Sequence, residues 1–244
     1  MKRPYLHGFV SLILLCCSSW FSTSALGIKR APAGGRVAIV VDERLSALRT
    51  TPELSGKLLR RIGRGGLVAV RGEKRSRDGV VFYRVNVTSR TSGWVQREAI
   101  VSPWRVGDDS RFLRLIKGSE DFDLIARARI FLNYFRQSAL RPEVLMIYAT
   151  AAEGAAAHLS RDASRRLDAN EMIGGGASLH SYYLNFNGLD RYNRQGITFT
   201  FDEAVKRFHY DGAAWRELAN RYPRTPEAAE ARKRLEALGE ARLR

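Results

Sequence analysis

Cysteine and histidine are scarce in this sequence. Its 244 residues contain two cysteines, Cys16 and Cys17, and both lie in an apolar segment near the N-terminus. Removal of that segment would leave no thiol, which excludes disulfides, thiolate metal sites and a cysteine nucleophile. Three histidines lie in the rest of the chain, and none of them stands in the H-E-x-x-H pattern of zinc hydrolases: His158, His180 and His209. The sequence therefore predicts no cofactor and no metal ion.

Long hydrophobic runs are missing beyond the N-terminus. Lys2 and Arg3 precede the apolar run FVSLILLCC at residues 9–17, and the small-residue stretch SSWFSTSALG follows it. This order is typical of a secretory signal peptide, here residues 1–27, and predicts a secreted or periplasmic protein. The run is shorter than the roughly 20 residues that span a bilayer, so the mature chain is expected to have no transmembrane span. Cleavage of the signal and its retention as an anchor both stay open.

Acidic residues are too few to balance the basic ones. The chain has 41 lysines and arginines against 25 aspartates and glutamates, a formal net charge of +16. Residues 36–100 carry 14 basic and 6 acidic residues, whereas residues 101–244 carry 23 and 19. Such an excess attracts polyanions. For an exported protein these are anionic lipids, wall polymers and acidic proteins, and no nucleic-acid partner is expected. Arginine outnumbers lysine 34 to 7, which an arginine-favouring genome alone would also explain.

Short apolar runs separated by turn residues dominate residues 36–102. The runs RVAIVV, KLLRRI, LVAVRG, VVFYRVNV and GWV are rich in β-branched and aromatic residues, and GRGG and RDG interrupt them. In VVFYRVNV, Tyr83 and Val85 alternate with Arg84 and Asn86, which indicates one buried and one solvated face. Five short strands with turns at close intervals predict a small barrel.

Four motifs of this segment, taken in order, resemble a bacterial SH3 (SH3b) domain. They are ALRTTPE at residues 47–53, the turn at Gly65 and Gly66, FYRV at 82–85 and SGWVQREAI at 92–100. Phe82 stands where the family often has tryptophan. The resemblance implies an SH3-like β-barrel that binds a ligand and catalyses nothing. Many such domains are envelope modules that recognise peptidoglycan or other envelope components.

The candidate binding residues follow from these motifs and from the charge. They are Arg49, Arg71, Lys74, Arg75, Arg77, Tyr83 and Trp94. The four basic residues from 71 to 77 surround a hairpin tip, which is either an anion-binding rim or a solvated loop. Tyr83 and Trp94 belong to the family's motifs, where such side chains either contact ligand or support the barrel.

The periodicity changes after the segment VSPWRVGDDS, and residues 103–110 are expected to form a linker. Residues 111–244 are expected to be helical, since apolar residues such as Phe131 and Phe135 recur at spacings of three and four. A second helix is expected to begin near Pro142. The C-terminal DGAAWRELANRYPRTPEAAEARKRLEAL repeats this helix-turn-helix pattern. Its part YPRTPEAAEARKRL resembles the tetratricopeptide-like (TPR-like) repeats of envelope proteins, which implies a helical domain that contacts a protein partner.

The segment between the two helical units contains a glycine triplet and many aromatic residues. Gly174–Gly176 predict a flexible break and not a phosphate loop, because no Gly-Lys-Ser/Thr follows them. The aromatic side chains are expected to pack against the helices. Asp202 and Glu203 predict the start of a short helix that runs through Phe208.

These features predict a multidomain protein, β then α: an SH3b-like barrel at residues 36–102 and a TPR-like domain at 111–244. The predicted function is that of an exported, non-enzymatic binding or scaffold protein of the bacterial cell envelope. Its barrel would recognise peptidoglycan or another anionic envelope component, and its helical repeats would contact an envelope protein. The alternatives are a cell-wall-active hydrolase and an electrostatic polyanion binder whose helical part is only a scaffold. Glu153 and Glu171 leave a glutamate-dependent lytic site open, although neither stands in a glycosidase-like motif.

Overall fold

The computed structural model of the protein describes residues 34–243. An antiparallel sheet occupies the first part of this range and helices occupy most of the rest, so the predicted order of β then α is confirmed. The signal peptide expected at residues 1–27 lies outside the described residues. Within the described range, no helix combines the length and the apolar character that crossing a membrane requires.

The β part is a seven-stranded sheet in the order β3-β2-β6-β5-β4-β1-β7, in which every neighbouring pair is antiparallel. Five of its strands coincide with the predicted apolar runs: β1 (Arg36–Val40), β3 (Leu58–Arg61), β4 (Leu67–Arg75), β5 (Val81–Asn86) and β6 (Ser92–Gln96). The two short strands β2 (Ala47–Arg49) and β7 (Ile100–Val101) lie outside those runs. Among the described residues the sheet is open, with β3 and β7 at its edges, where the sequence predicts a small barrel. The pairing of β7 with β1 places the last strand beside the first.

The tight connection between β4 and β5 depends on glycine. Gly79 has a φ of 80°, in the left-handed region that glycine adopts without steric cost. The backbone N–H of Ser76 donates to the carbonyl oxygen of Val80 over 2.8 Å, which closes the loop. The two strands therefore pair along their length and hold the basic hairpin tip away from the sheet core.

The α part begins after the loop that follows β7. Its helices are α1 (Asp108–Lys117), α2 (Asp121–Tyr134), α3 (Arg141–Arg166), α4 (Ala169–Gly175), α5 (Leu179–Leu184), α6 (Asp190–Asn193), α7 (Ala213–Arg221) and α8 (Pro226–Leu243). Pro142 lies in the first turn of α3 and Pro226 begins α8, where a missing N–H costs no helical hydrogen bond. The glycine triplet predicted as a break ends α4, and Gly176 caps it in the left-handed conformation.

The two helix-turn-helix units expected from the sequence echo are present as helix hairpins. α2 packs against α3, α7 packs against α8, and α7 and α8 both contact α3. Trp215 of α7 is fully buried, as is Phe131 at the corresponding face of α2. The long helix α3 is thus the shared element on which the second hairpin rests.

Residues 202–208 form part of a β-hairpin and not the short helix that the sequence predicted. β8 (Phe199–Asp202) pairs antiparallel with β9 (Arg207–Tyr210). Aromatic residues alternate along both strands, so the pairing places Phe201 opposite Phe208, with ring centroids 5.6 Å apart. A helix would distribute these rings around its circumference, whereas two strands gather them on one face and bury them against the helices.

The buried residues form two clusters that meet at β1. One cluster lies within the sheet and includes Ala38 and Val40 of β1. The other joins the helices and includes Ile39 of β1, Val41 and Val101. Because successive side chains of a strand point to opposite faces, β1 is covered on both sides, which explains why RVAIVV is an unbroken apolar run. The sheet and the helices therefore share a hydrophobic core.

Candidate functional site

A break in the register of β4 turns Arg71 out of the sheet. β4 pairs with β5 regularly from Gly72 onwards, and the register shifts between Val70 and Gly72. Such a bulge adds one residue to a strand and redirects its side chain. With the amide of Asn86 turned so that its oxygen faces the arginine, Oδ1 accepts from Nε and Nη2 of Arg71 over 3.2 and 3.3 Å. The guanidinium group is thereby held beside the start of β1.

Arg71 lies on the wall of an open cleft with a volume of about 560 Å³. β1, β4, β5 and the loop between β7 and α1 form the cleft. We call it the arginine cleft and define it by the six residues that determine its chemistry: Arg36, Arg71, Glu73, Tyr83, Trp104 and Arg105. Three guanidinium groups thus stand around two aromatic rings and one carboxylate.

Tyr83 and Arg105 form the inner part of the arginine cleft. The phenol oxygen of Tyr83 accepts a hydrogen bond from Nη1 of Arg105, whose guanidinium carbon lies 5.8 Å from the centroid of the tyrosine ring. Burial raises the pKa of Tyr83, so its hydroxyl stays protonated at neutral pH. The tyrosine therefore holds the arginine through a neutral contact and leaves its positive charge uncompensated by a phenolate.

Asp108 fixes Arg105 from the other side. This aspartate begins α1 and is buried, and its Oδ1 lies 3.9 Å from Nε of Arg105. Its second oxygen accepts from the backbone N–H of Ser102 over 2.8 Å, which ties the end of β7 to the first turn of the helix. An acidic residue in this turn is also favoured by the helix dipole. The loop that carries Arg105 is therefore anchored at both ends.

Trp104 covers the outer end of the arginine cleft. Its indole Nε1 donates to the carbonyl oxygen of Val37 over 2.8 Å, on a stretch of β1 that β7 does not pair. The guanidinium carbon of Arg36 lies 5.1 Å from the centroid of the tryptophan ring, within the range of a cation–π contact. Trp104 remains 39% exposed, so one part of its ring is available to a ligand.

The arginine cleft carries a net positive charge. Three arginines line it against one acidic residue, Glu73, and Asp108 behind Arg105 offsets part of one charge. Arg36 and Arg71 are exposed at the rim and Arg105 is half-buried. Guanidinium groups present several N–H donors in a planar fork that fits carboxylate and phosphate oxygens. The arrangement can therefore bind an anionic group at the rim while an apolar or planar part contacts the exposed tryptophan.

The structure brings together two of the seven residues that the sequence singled out. Arg71 and Tyr83 line the arginine cleft. Lys74, Arg75 and Arg77 lie farther along the hairpin, exposed at its tip, where Nη1 of Arg75 donates to the carbonyl oxygen of Gly79 over 2.9 Å. These three basic residues form a rim of their own, outside the arginine cleft.

The other two candidates lie on the opposite face of the sheet. Arg49 and Trp94 stand directly across from each other in the pairing of β2 with β6. Val95, the next residue of β6, pairs with Tyr83, so Trp94 and Tyr83 point to opposite faces. Arg49 donates from Nη1 to the carbonyl oxygen of Gly56 over 2.7 Å, which places its guanidinium inside the β2–β3 turn.

Four residues of the arginine cleft were not among the sequence candidates: Arg36, Glu73, Trp104 and Arg105. Arg36 begins the first strand, and Trp104 and Arg105 belong to the segment expected to be a linker. The sequence offered one indication of them. Trp104 is an aromatic residue in a segment without helical or strand periodicity, so its ring is not needed to complete the apolar face of an element.

Within residues 34–243, no group of three or more His, Cys, Asp or Glu side chains could hold a metal ion.

No protein-family model, curated protein or solved structure matches the chain. The resemblances to SH3b domains and to TPR-like repeats therefore stay expectations from the sequence motifs.

Proposed function

We propose that the protein is an exported, non-enzymatic binding protein of the bacterial cell envelope. In this proposal the sheet is an SH3b-like module, and its arginine cleft captures an anionic group of peptidoglycan or of another envelope component. The helical part, with its two TPR-like hairpins, contacts an envelope protein. The observation that carries the proposal is the placement of Arg36, Arg71 and Arg105 around Tyr83 and Trp104.

The chemistry of the arginine cleft favours binding of a ligand with both anionic and apolar parts. Three cations in an open depression attract an anion, and each arginine is supported by the protein: Arg36 by Trp104, Arg71 by Asn86, and Arg105 by the tyrosine hydroxyl. Support of this kind reduces the side-chain entropy lost on binding. Exposed aromatic surface beside the cations offers contact area to a sugar ring or an aliphatic chain.

The experiment that tests the function measures retention and turnover together. The full protein, purified from its own cells, is incubated with purified cell wall and, separately, with envelope extract. We expect retention on the wall without release of soluble wall fragments, and co-purification of a specific envelope protein. Release of wall fragments at a rate that depends on protein concentration would contradict the proposal and support a hydrolase. Absence of retention on either material would contradict the envelope assignment.

A further inference from the structure

A depression larger than the arginine cleft lies in the helical part, between α3, the β8–β9 hairpin and α8. Its volume is about 990 Å³. Its floor is apolar and includes Ala156 of α3, Phe208 of β9 and Leu238 of α8. Five cations line it: Arg161, Arg165, Lys206, Arg207 and Arg234. We call this depression the helical groove. Its volume lies at the upper end of the range typical of ligand sites.

One wall of the helical groove is fixed by a buried hydrogen-bond relay. The backbone N–H of Phe208 donates to Oγ of Ser160 over 2.8 Å, and the same hydroxyl donates to the carbonyl oxygen of Ala156 over 2.7 Å. Ser160 is buried, so both contacts are shielded from water. The β8–β9 hairpin is therefore seated on α3, and the groove is formed before a ligand arrives.

The cations of the helical groove divide into two sets. Arg165 contacts Asp162 on its own helix, and Arg234 contacts Glu230 on its own helix. The other set is Arg161, Lys206 and Arg207, which are exposed and, within the described residues, have no hydrogen bond or ion pair to their side chains. Among the described residues, no acidic side chain forms an ion pair with this second set; Asp202, across the hairpin from Arg207, accepts through Oδ1 from backbone N–H groups of its own turn.

Glu153 is the acidic residue that lines the helical groove, and it is already engaged. Its Oε1 accepts from the indole Nε1 of Trp215 over 2.8 Å, and its Oε2 lies 3.3 Å from Nη1 of Arg234. Both oxygens are thus held at one end of the groove. The carboxylate does not neutralise Arg161, Lys206 or Arg207.

We propose that the helical groove binds an acidic peptide segment in which carboxylate side chains alternate with small apolar ones. The carboxylates would pair with Arg161, Lys206 and Arg207, since a guanidinium fork donates two parallel N–H bonds to a carboxylate and a lysine ammonium attracts it as a point charge. The apolar side chains would cover the floor of Ala156 and Phe208. Polyphosphate and nucleic-acid backbones are charged along their whole length and would leave that floor in contact with water. This inference rests on the proposed function, in which the helical part contacts an envelope protein, and it names the chemistry of the segment that is bound. The groove lies apart from the arginine cleft and does not depend on it.

The test uses the full protein and a labelled synthetic peptide in which glutamate alternates with alanine and leucine. Binding is followed by fluorescence anisotropy for wild type and for the double variant Arg161→Ser and Arg207→Ser. We expect the variant to bind about tenfold more weakly or worse, because two charge-assisted contacts are lost. The matched control is Arg194→Ser with Arg224→Ser, two exposed arginines of the helical part that do not line the groove. The control is expected to bind like wild type.

Three further measurements decide the proposal. The same peptide with glutamine in place of glutamate should lose binding, and equal affinity for both peptides would overturn the proposal. Unlabelled polyphosphate should compete poorly with the labelled peptide for the groove. If polyphosphate competes as strongly as unlabelled acidic peptide of the same total charge, the groove is a polyanion site and the proposal is overturned. The cleft variant Arg36→Ser with Arg71→Ser should bind the peptide normally, so failure of the groove and failure of the cleft are distinguishable. If the double groove variant unfolds at lower temperature than wild type, the single variant Arg161→Glu provides the same comparison.

Discussion

The Nε atom of Arg127, in α2, donates a hydrogen bond of 3.1 Å to the backbone carbonyl oxygen of Val41, which follows β1 and lies 86 residues away in sequence. The arginine is buried, and desolvation lowers the pKa of its guanidinium group. Its Nη1 donates to Oγ of Ser119 over 2.6 Å, and Asp123 lies 3.9 Å away. One buried cation therefore connects the first strand of the sheet with the helices.

Replacement of Arg127 by alanine should destabilise the sheet and the helices together. The change removes two buried hydrogen bonds from a charged donor and leaves the carbonyl of Val41 without its partner, so we expect a loss of about 2–3 kcal/mol in the free energy of unfolding. Urea unfolding followed by far-ultraviolet circular dichroism measures the loss. Arg114→Ala, at an exposed position of α1, is the control and should stay within about 0.5 kcal/mol of wild type. A similar loss in the control would contradict the special role of Arg127.

Limited proteolysis should cut the loop between β7 and α1 without separating the two parts. Trp104 and Val106 are exposed in this loop, and Val106 is fully so, which makes it accessible to protease. The two fragments share a core through Ile39 and Val101. We therefore expect the nicked protein to elute as one species in size-exclusion chromatography and to separate only in denaturant. Two independently folded fragments that elute apart in native buffer would show that the parts are independent domains.

Much of the fold could be predicted because it depends on local patterns. The strands were correctly placed wherever an apolar run was bounded by glycine turns, as between β4 and β5. Both helix hairpins were foreseen, since apolar residues such as Phe131 and Phe135 recur at helical spacing and the C-terminal segment repeats that pattern. Pro142 and Pro226 mark the second helix of each hairpin. Each of these sequence signals lies inside, or within a few residues of, the strand or helix that it predicts.

The β8–β9 hairpin could not be predicted from the same kind of signal. Oδ1 of Asp202 accepts from the backbone N–H groups of Ala204 and Val205 over 2.9 and 3.3 Å, which is the chemistry of a helix N-cap. An aspartate turn makes the same contacts. Lys206, at a φ of 52°, then turns the chain back, and a left-handed conformation at lysine has no sequence signature.

The arginine cleft was predicted only in part because its residues are distant in sequence. Arg71 and Tyr83 lie on adjacent strands and were both candidates. Trp104 contacts Val37 across 67 residues, and nothing near either residue indicates the other. The bulge at Arg71 also breaks the alternation that assigns side chains to faces. A local pattern therefore indicated the strands that build the cleft but not the side chains that fill it.

Stability should fall in alkaline solution because of buried tyrosines. Burial raises the pKa of Tyr148 and of Tyr210 above the usual value of about 10. The folded state thus keeps protons that the unfolded state releases. The stabilisation of the folded state by these two protonated phenols is complete below a pH of about 10. It is lost as the pH rises through the raised pKa values of the phenols in the folded protein. Urea unfolding midpoints measured from neutral pH upwards should decline above a pH of about 10. Constant midpoints would contradict the burial of these phenols.

The variant Tyr210→Phe separates the titration of this phenol from its hydrogen bond. Its hydroxyl oxygen accepts from the backbone N–H of Ala214 over 2.7 Å, at the start of α7. Loss of this contact should cost about 1 kcal/mol at neutral pH. The variant has one ionisable phenol fewer, so its alkaline decline should be shallower than that of wild type. An equally steep decline would show that other groups cause it.

Gly35 should not tolerate alanine, whereas Gly72 should. Gly35 has a φ of 150°, and a Cβ there would lie 2.7 Å from the carbonyl oxygen of Val70, which pairs with Arg36. Relief of this clash would move the start of β1 away from β4, and we expect a loss of about 1–3 kcal/mol. A Cβ on Gly72 meets no atom within 4 Å, so Gly72→Ala should be close to neutral. Thermal unfolding of both variants measures the contrast, and equal melting temperatures would contradict it.

The central claim is that the arginine cleft, and not the hairpin tip, captures anionic envelope material. The most direct measurement is the affinity for purified cell wall over a salt series, compared among wild type, Arg36→Ser with Arg71→Ser, and Arg75→Ser with Arg77→Ser. Each variant removes two exposed positive charges, so a difference between them reports position and not net charge. We expect the cleft variant to lose about tenfold in affinity and to show a shallower salt dependence, because fewer screened contacts remain. The hairpin-tip variant should bind like wild type. Unchanged affinity in the cleft variant, with loss of binding in the hairpin-tip variant, would contradict the account.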